Sequence, residues 1–320
     1  MNSEKGVLMS SEDVQPVISL ICPCYNEEEV VDLFLEAIST VMDTVGKPYE
    51  IVFVNDGSKD DTLAKLLDAK KRYAAVRIIN LSRNFGKEAA LTAGLDQAKG
   101  EAMIPIDVDL QDPPELIRDF VAHWEKGSDV VLAKRVDRLA DSFAKRASAK
   151  MFYRLNNKIS KVAIPENVGD YRLMSRKVVS ALQQLPESER FMKGLFAWVG
   201  FKTSVVEYKR EARRAGNTSF NGWKLWNLAL EGITSFSTFP LKIWLYMGFV
   251  ISFLSFLYGT VIIVKTVLFG VDMPGYASTM TTILFLGGIQ LIGIGVLGEY
   301  VGRIYMESKR RPTYIIEAEY

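Results

Sequence analysis

The stretch Ile104-Pro105-Ile106-Asp107-Val108-Asp109-Leu110-Gln111-Asp112-Pro113-Pro114-Glu115 reads as an apolar strand ending in two carboxylates spaced i, i+2. Side chains alternate along a strand, so Asp107 and Asp109 fall on the same side. Two anionic groups at a strand's carboxyl end form a seat for a hard divalent cation. Mg²⁺ or Mn²⁺ commonly shares one or two carboxylates with the phosphates of a substrate. Asp112, followed by prolines, reads as the N-cap of the next helix. The same pattern also describes a plain polar strand end with helix caps, so the rest of the chain decides.

Working outward, strand and helix alternate. Strands are expected at Val17–Cys24, Glu50–Asn55, Val76–Leu81, Ala102–Ile106 and Asp129–Ala133. Helices are expected at Glu27–Val45, Asp60–Tyr73, Lys87–Lys99 and Pro114–Lys126. This spacing predicts an α/β fold: a doubly wound, mostly parallel sheet with helices on both faces. Ligands bind such sheets outside the carboxyl ends of the strands. Polar clusters fall there: Tyr25-Asn26-Glu27, Asn55-Asp56-Gly57-Ser58, Arg83-Asn84-Phe85-Gly86-Lys87 and Asp107–Gln111. A diphosphate held through a cation suits that rim, and a nucleotide is its commonest carrier. Tyr25 can stack or hydrogen-bond, and Glu27 can accept from ring N–H groups or ribose hydroxyls. Taken singly, Glu27 also reads as charge complementing a helix N-terminus, and Asp56 as part of a turn.

Composition removes other classes. The 320 residues contain one histidine, His123, which excludes histidine-based metal sites and histidine-dependent triads. The two cysteines, Cys22 and Cys24, flank Pro23 on an expected strand and read as small buried hydrophobes in a reducing compartment. The net charge of +1 hides an asymmetry: −11 over residues 1–130 and +12 over residues 131–320. The basic half suits a membrane surface or a lipid phosphate. No nucleic-acid-binding signature occurs. Residues 1–15 are polar and expected to be loose, with no signal peptide before the first strand.

The last third is oily. Trp223, Trp226, Leu230 and Ile233 keep helical spacing in residues 220–236, as in a helix lying in the headgroup plane or packed on a core. Ile243–Val264 and Tyr276–Gly298 are uncharged, and each matches the roughly 20 residues that cross a bilayer. Lys242 precedes the first segment, and Arg303, Lys309, Arg310 and Arg311 follow the second. The positive-inside rule then places both ends of a hairpin, and the large domain, in the cytoplasm. Gly298 and Gly302, four apart, permit close helix contact and hence a homo-oligomer. The basic stretch Leu139–Ser160 and the oily stretch Arg190–Gly200 are expected to receive a lipid phosphate and graze the bilayer. The expected partition is a tail (1–15), a cytoplasmic domain (16–218), a juxtamembrane amphipathic helix (219–240), a hairpin (241–304, spans about 243–267 and 276–301) and a basic cytoplasmic tail (305–320).

From Pro16 to about Pro312 the chain resembles the family 2, GT-A-fold glycosyltransferases that move a sugar from a nucleotide diphosphate to a polyprenyl phosphate. It is most similar to the bactoprenol glucosyltransferase group, which is related to dolichol-phosphate mannose synthases. The resemblance rests on Pro23-x-Tyr25-Asn26-Glu27, Val54–Ser58, Leu81–Glu88, Asp107–Glu115, Gly169-Asp170-Tyr171-Arg172-Leu173-Met174 and the hairpin. It implies that Pro23, Tyr25, Glu27 and Asp56 hold base and ribose. Asp107, Asp109 and Gln111 would surround Mg²⁺ or Mn²⁺ and the diphosphate. Arg135 and Arg213 would reach the donor phosphates. Asp109, Asp170 and Arg213 would be the catalytic set, with Asp170 orienting the acceptor or acting as base unless it only caps a helix. Arg83, Lys87 and Arg172 would meet the acceptor phosphate; Arg83 and Lys87 read equally as a solvated helix start. The family's mobile arginine motif usually ends in lysine, where this chain has Ser219.

The implied reaction is inverting transfer from a UDP-sugar to undecaprenyl or another polyprenyl phosphate at the inner membrane, with a separate flippase for the product. Glucose is the favoured sugar; GlcNAc, galactose, mannose and aminoarabinose derivatives stay open. Two other readings stand beside it. A haloacid-dehalogenase-type phosphatase also uses Asp-x-Asp, but after its first strand rather than its fourth. A non-catalytic, membrane-anchored nucleotide-sugar-binding scaffold is kept open by Ser219.

Overall fold

A computed structural model describes residues 15–136, 165, 167–187, 190–209, 239–269 and 275–320. The strands are β1 (Ile18–Cys24), β2 (Tyr49–Asn55), β3 (Val76–Leu81), β4 (Ala102–Pro105), β5 (Val130–Arg135), β6 (Val168–Ser175), β7 (Thr203–Tyr208) and β8 (Ile316–Glu319). The helices are α1 (Val31–Val45), α2 (Thr62–Arg72), α3 (Lys87–Gln97), α4 (Leu116–Glu125), α5 (Arg176–Gln183), α6 (Met192–Trp198), α7 (Phe239–Phe269) and α8 (Tyr276–Ser308). The strands form one sheet in the order β7-β5-β6-β4-β1-β2-β3-β8.

The central strands are apolar almost throughout because both faces are covered. On one face Leu20, Phe53 and Ile104 pack against Phe34 and Ile38 of α1, Leu66 of α2 and Phe120 of α4. On the other, Ile21, Val54 and Met103 meet Leu91 of α3, Val179 of α5 and Leu195 of α6. Helix α3 lies close to the sheet because Gly94 carries no side chain: a Cβ there would run into the Ile21 methyl.

The five expected strands and four expected helices are all present, with helices on both faces as read. Three strands were not expected. Strand β6 runs antiparallel between β4 and β5, pairing Met103 with Met174 and Val131 with Leu173. Asp170 and Arg172 sit where a buried strand would carry apolar residues, and they disguise it. Strand β7 adds parallel to β5. Strand β8, within the segment expected as a basic tail, pairs antiparallel with β3.

Two further expectations are corrected. The oily stretch Arg190–Gly200 does not face a bilayer as a whole, since Phe191, Met192, Leu195 and Phe196 are buried in the second core and Trp198 alone of these large side chains is exposed. Asp112 does not cap α4. The helix begins at Leu116 with no side-chain cap, and Asp112 Oδ1 instead accepts a 2.6 Å hydrogen bond from the Tyr208 hydroxyl. Cys22 and Cys24 are buried free thiols, and burial raises both pKa values.

Helices α7 and α8 expose large apolar side chains such as Phe249, Phe256, Phe285 and Ile292 to the surroundings. Trp244 of α7 lies over Gly293 of α8, where a Cβ would stand 3.2 Å from the indole. Among the described residues Phe285–Ser308 is long and apolar enough to cross a membrane, and Tyr246–Val261 is apolar but shorter. Residues 1–14, the basic stretch Leu139–Ser160, the segment containing Arg213 and Ser219, and residues 220–236 lie outside the described residues.

Replacing Gly94 with alanine should separate α3 from β1. The expected cost is about 1–3 kcal/mol of unfolding free energy, read as a lowered melting temperature of the purified protein. Unchanged melting would show that the close approach is not tight.

Candidate active site

The register of the parallel strands sets the site. Cys24 of β1 is level with Asn55 of β2, and Asn55 with Asn80 of β3. Beyond Pro105 the chain continues beside β1, with the Ile106 N–H donating to the Ile21 carbonyl at 2.9 Å. The carboxyl ends of β1, β2, β3 and β4 thus form one rim. A cleft of about 260 Å³ opens there.

The wall from β1 supplies Pro23, Tyr25 and Glu27. Asn26 between them takes φ +56°. That conformation is held by its neighbours: the Asn26 N–H donates to Ser58 Oγ at 3.0 Å, and Asn26 Oδ1 accepts from the Lys59 N–H at 2.9 Å. The Glu27 N–H donates to Thr62 Oγ1 at 2.8 Å.

Asp56 also lines the cleft, but its carboxylate is engaged. Oδ1 accepts the Phe85 N–H at 2.7 Å, and Oδ2 accepts the Gly86 N–H at 2.9 Å. Burial raises its pKa against the pull of these two donors. Gly57, at φ +64°, lets this turn touch the β3–α3 loop: a Cβ would lie 2.5 Å from the Arg83 carbonyl carbon and the Asn84 nitrogen. The pinned loop ends at Gly86, so the positive end of α3 faces the cleft.

Opposite stands the acidic wall. Asp107, Val108 and Asp109 all line the cleft, the two aspartates partly exposed and Val108, at 2% exposure, packed into the core. The alternation expected for a strand therefore persists beyond its end. The Gln111 N–H donates to Asp109 Oδ1 at 3.1 Å, and Leu110 takes φ +54°. That backbone costs a residue with a side chain about 1–2 kcal/mol. It turns Gln111 and Asp112 into the protein, where both are buried. The Tyr171 hydroxyl, donating to the Pro113 carbonyl at 3.0 Å, and Tyr208 fasten the following segment.

A lysine joins the two walls. Lys87 Nζ lies 2.7 Å from Asp107 Oδ2 and 3.6 Å from Asp170 Oδ2. Burial works against this ammonium, yet Asp107 and Asp170 outweigh it and hold its pKa above the ordinary lysine value. Asp170 Oδ1 is buried without a hydrogen-bond partner. Next to Lys87, the Glu88 carboxylate accepts the Met192 N–H at 3.3 Å. Burial, and then the Asp170 charge, raise its pKa to about 7.

Over residues 19–183 the chain matches the family described as "Glycosyl transferase family 2". Residues 239–304 match a second family, "GtrB C-terminal hairpin". The chain belongs to the family 2 glycosyltransferases. Among its relatives is a "Bactoprenol glucosyl transferase" of Shigella phage SfV, 56% identical over 304 residues that cover 94% of this chain and 98% of that protein. A "Prophage bactoprenol glucosyl transferase homolog" of Escherichia coli K12 is 55% identical over 300 residues, again 94% and 98% of the two chains. An "Uncharacterized glycosyltransferase" of Synechocystis is 53% identical over 299 residues, 93% and 94% of the two chains.

In this glycosyltransferase the cleft gathers Pro23, Tyr25, Glu27, Asp56, Lys87, Asp107 and Asp109. Asp170 reaches it through Lys87. The other expected residues stand elsewhere. Gln111 is buried behind the acidic wall. Arg135 ends β5, its N–H donating to the Asn167 carbonyl, and it does not line the cleft. Arg83 is exposed at the rim, its guanidinium 4.0 Å from the centre of the Phe85 ring. Arg172 turns away into a separate cleft beside Lys193, Phe196 and Phe201. There it is 5% exposed, donates to the Gly169 carbonyl at 2.6 Å and lies over the Phe196 ring. Burial lowers its pKa to about 10. Asn84 and Gly86, expected only as members of a polar cluster at the rim, line the main cleft, and Glu88 had been given no role. The glycine directly before α3 was the available signal.

Glu88 gives the fold a pH dependence. Its folded pKa lies above the ordinary carboxylate value, so between about pH 4.5 and 7 the folded protein keeps a proton that the unfolded chain has released. Stability contributed by this group is therefore present at low pH and is lost as pH rises through 7. Glu88→Gln should raise unfolding free energy by about 2 kcal/mol at pH 8 and by almost nothing at pH 4. Melting curves of the two proteins that stay parallel across this range would disprove the assignment.

Proposed function

We propose that the protein transfers glucose from UDP-glucose to a polyprenyl phosphate such as undecaprenyl phosphate, with inversion at the anomeric carbon. The observation that carries this reading is the 56% identity to a bactoprenol glucosyl transferase along nearly the whole of both chains. The cleft is consistent with it: an acidic wall, a cationic wall and a polar shelf lie around a space open to a nucleotide.

On this reading Pro23, Tyr25 and Glu27 receive base and ribose. Asp56 holds the β3–α3 loop in place rather than touching the nucleotide with its carboxylate. Asp107 and Asp109 would hold Mg²⁺ or Mn²⁺. Among the described residues no group of three or more His, Cys, Asp or Glu side chains could enclose an ion. Two carboxylates facing an open cleft suit a hard cation that completes its shell with water and phosphate oxygens. The partnerless buried oxygen of Asp170 and the Lys87 ammonium against Asp107 also mark a place where positive charge is stabilised. When bound, the ion supplies Lewis-acid stabilisation of the departing nucleotide.

The acceptor phosphate is already an anionic nucleophile and needs no strong base. The protein's task is to align it and to offset repulsion between two phosphate-bearing partners. Asp170 orients the acceptor. Lys87, bridging Asp107 and Asp170, is placed to exchange a carboxylate for an incoming phosphate. Arg213, from outside the described residues, supplies a further donor-phosphate contact. The helices α7 and α8 form a membrane hairpin with both ends on the cytoplasmic side, and a separate protein moves the product across.

Purified protein supplied with UDP-glucose, undecaprenyl phosphate and Mg²⁺ or Mn²⁺ should yield lipid-linked glucose and UDP. EDTA should stop the reaction and added metal restore it. Asp109→Asn should lower turnover on the order of 10³-fold while melting as the wild type does. Inorganic phosphate as the product, or an Asp109→Asn enzyme of full activity, would overturn the proposal. A panel of UDP- and GDP-sugars in the same assay identifies the donor.

A further inference from the structure

A line of side-chain amides runs from the C-terminal strand to the nucleotide shelf. Asn80 Nδ2 donates to Glu317 Oε2 at 2.8 Å. Asn55 Nδ2 donates to Asn80 Oδ1 at 2.7 Å. The Ser58 N–H donates to Asn55 Oδ1 at 3.3 Å. The Asn26 N–H then donates to Ser58 Oγ at 3.0 Å, and Asn26 lies between Tyr25 and Glu27 of the cleft. Asn55 and Asn80 are 2% and 7% exposed, so few waters can replace their partners.

The line has a direction. An amide side chain has a donating and an accepting end, whereas an ionised carboxylate only accepts and a backbone N–H only donates. Glu317 therefore turns the Asn80 donor toward β8. That leaves the Asn80 acceptor for Asn55, which turns the Asn55 acceptor toward Ser58. Reversing the first member would present the Asn55 donor to the Ser58 N–H, a pairing that cannot form.

We infer that Asn80 and Glu317 are positioning residues for the donor site, setting the Asp56-Gly57-Ser58 turn and the Asn26 shelf through the amide polarity of Asn55. The strand that follows the apolar helices thereby acts on nucleotide affinity without touching the nucleotide. This rests on the proposed binding of a nucleoside diphosphate in the cleft.

The test uses the full-length protein in lipid nanodiscs, with UDP as the binding probe and UDP-glucose for kinetics. Glu317→Gln keeps an acceptor and should bind UDP as the wild type does. Glu317→Ala should weaken UDP binding roughly two- to threefold, and Glu317→Lys, which can only donate, roughly five- to tenfold. The loss should appear in KM for UDP-glucose with kcat within about twofold. Asn80→Ala should behave as Glu317→Lys does. Glu317 is exposed on an edge strand, so melting should stay close to wild type in all three Glu317 variants. Equal UDP affinity of Glu317→Lys and wild type would overturn the inference alone. Absence of UDP binding by the wild type would overturn it together with the proposed function.

Discussion

The site depends on one buried carboxylate bonded to two backbone amides. Asp56 closes β2 and holds the Phe85 and Gly86 N–H groups, which fixes where the β3–α3 loop leaves the sheet. An aspartate can do this only because its two oxygens accept in different directions at short range, and because Gly57 lets the two loops meet. Once the loop is fixed, α3 begins at a set height and Lys87 projects across the rim to Asp107. The cleft is then a consequence of strand register, with the Asp107–Asp109 wall on one side and the start of α3 on the other.

Charge in this cleft is balanced rather than neutralised. Lys87 faces Asp107 and Asp170, Glu88 is protonated more readily than an ordinary glutamate, and Asp170 keeps one buried oxygen without a partner. Such an arrangement is poorly satisfied by the protein's own groups. Buried polar atoms without partners are costly. A cation and a phosphate added together would relieve that cost, because each supplies the charge that the opposite wall lacks. Glu88 adds a pH-sensitive element behind Lys87, outside contact with the open part of the cleft.

Much of this was legible before any coordinates. The apolar runs of β1 to β5 announce themselves because both faces of the sheet are covered. The polar clusters mark the strand ends because ligands bind there. What stayed hidden has physical reasons. Strand β6 carries Asp170 and Arg172 on the face toward α3 and α6, so its pattern does not look like a core strand. The oily segment around α6 reads as a lipid-facing surface in sequence, since buried and membrane-facing residues are alike in hydrophobicity and only packing separates them. Arg172 was grouped with the phosphate-binding residues on the strength of its motif. Its side chain instead turns onto Phe196, a contact no spacing reveals. The carboxylate of Asp56 looked available because its partners are backbone amides about 30 residues away.

Strand β8 links the two ends of the molecule. The chain leaves α8 at Ser308, and the Ser82 N–H donates to the Ile315 carbonyl at 3.0 Å. Ile315 is seven steps along the chain from Ser308, so the end of α8 lies within about 25 Å of that bond. Ser82 follows β3 at its carboxyl end, where the loop to Lys87 begins. The cleft rim is therefore tethered near the end of the apolar helices. The Tyr314 hydroxyl, donating to Asp96 at 2.9 Å, fastens the same segment to α3. On the proposed function, a short tether at this rim suits a lipid-linked acceptor, because the reacting phosphate cannot travel far from its lipid tail. An end strand attached by a longer linker would complete the same hydrogen bonds without fixing the distance between the cleft and the apolar helices.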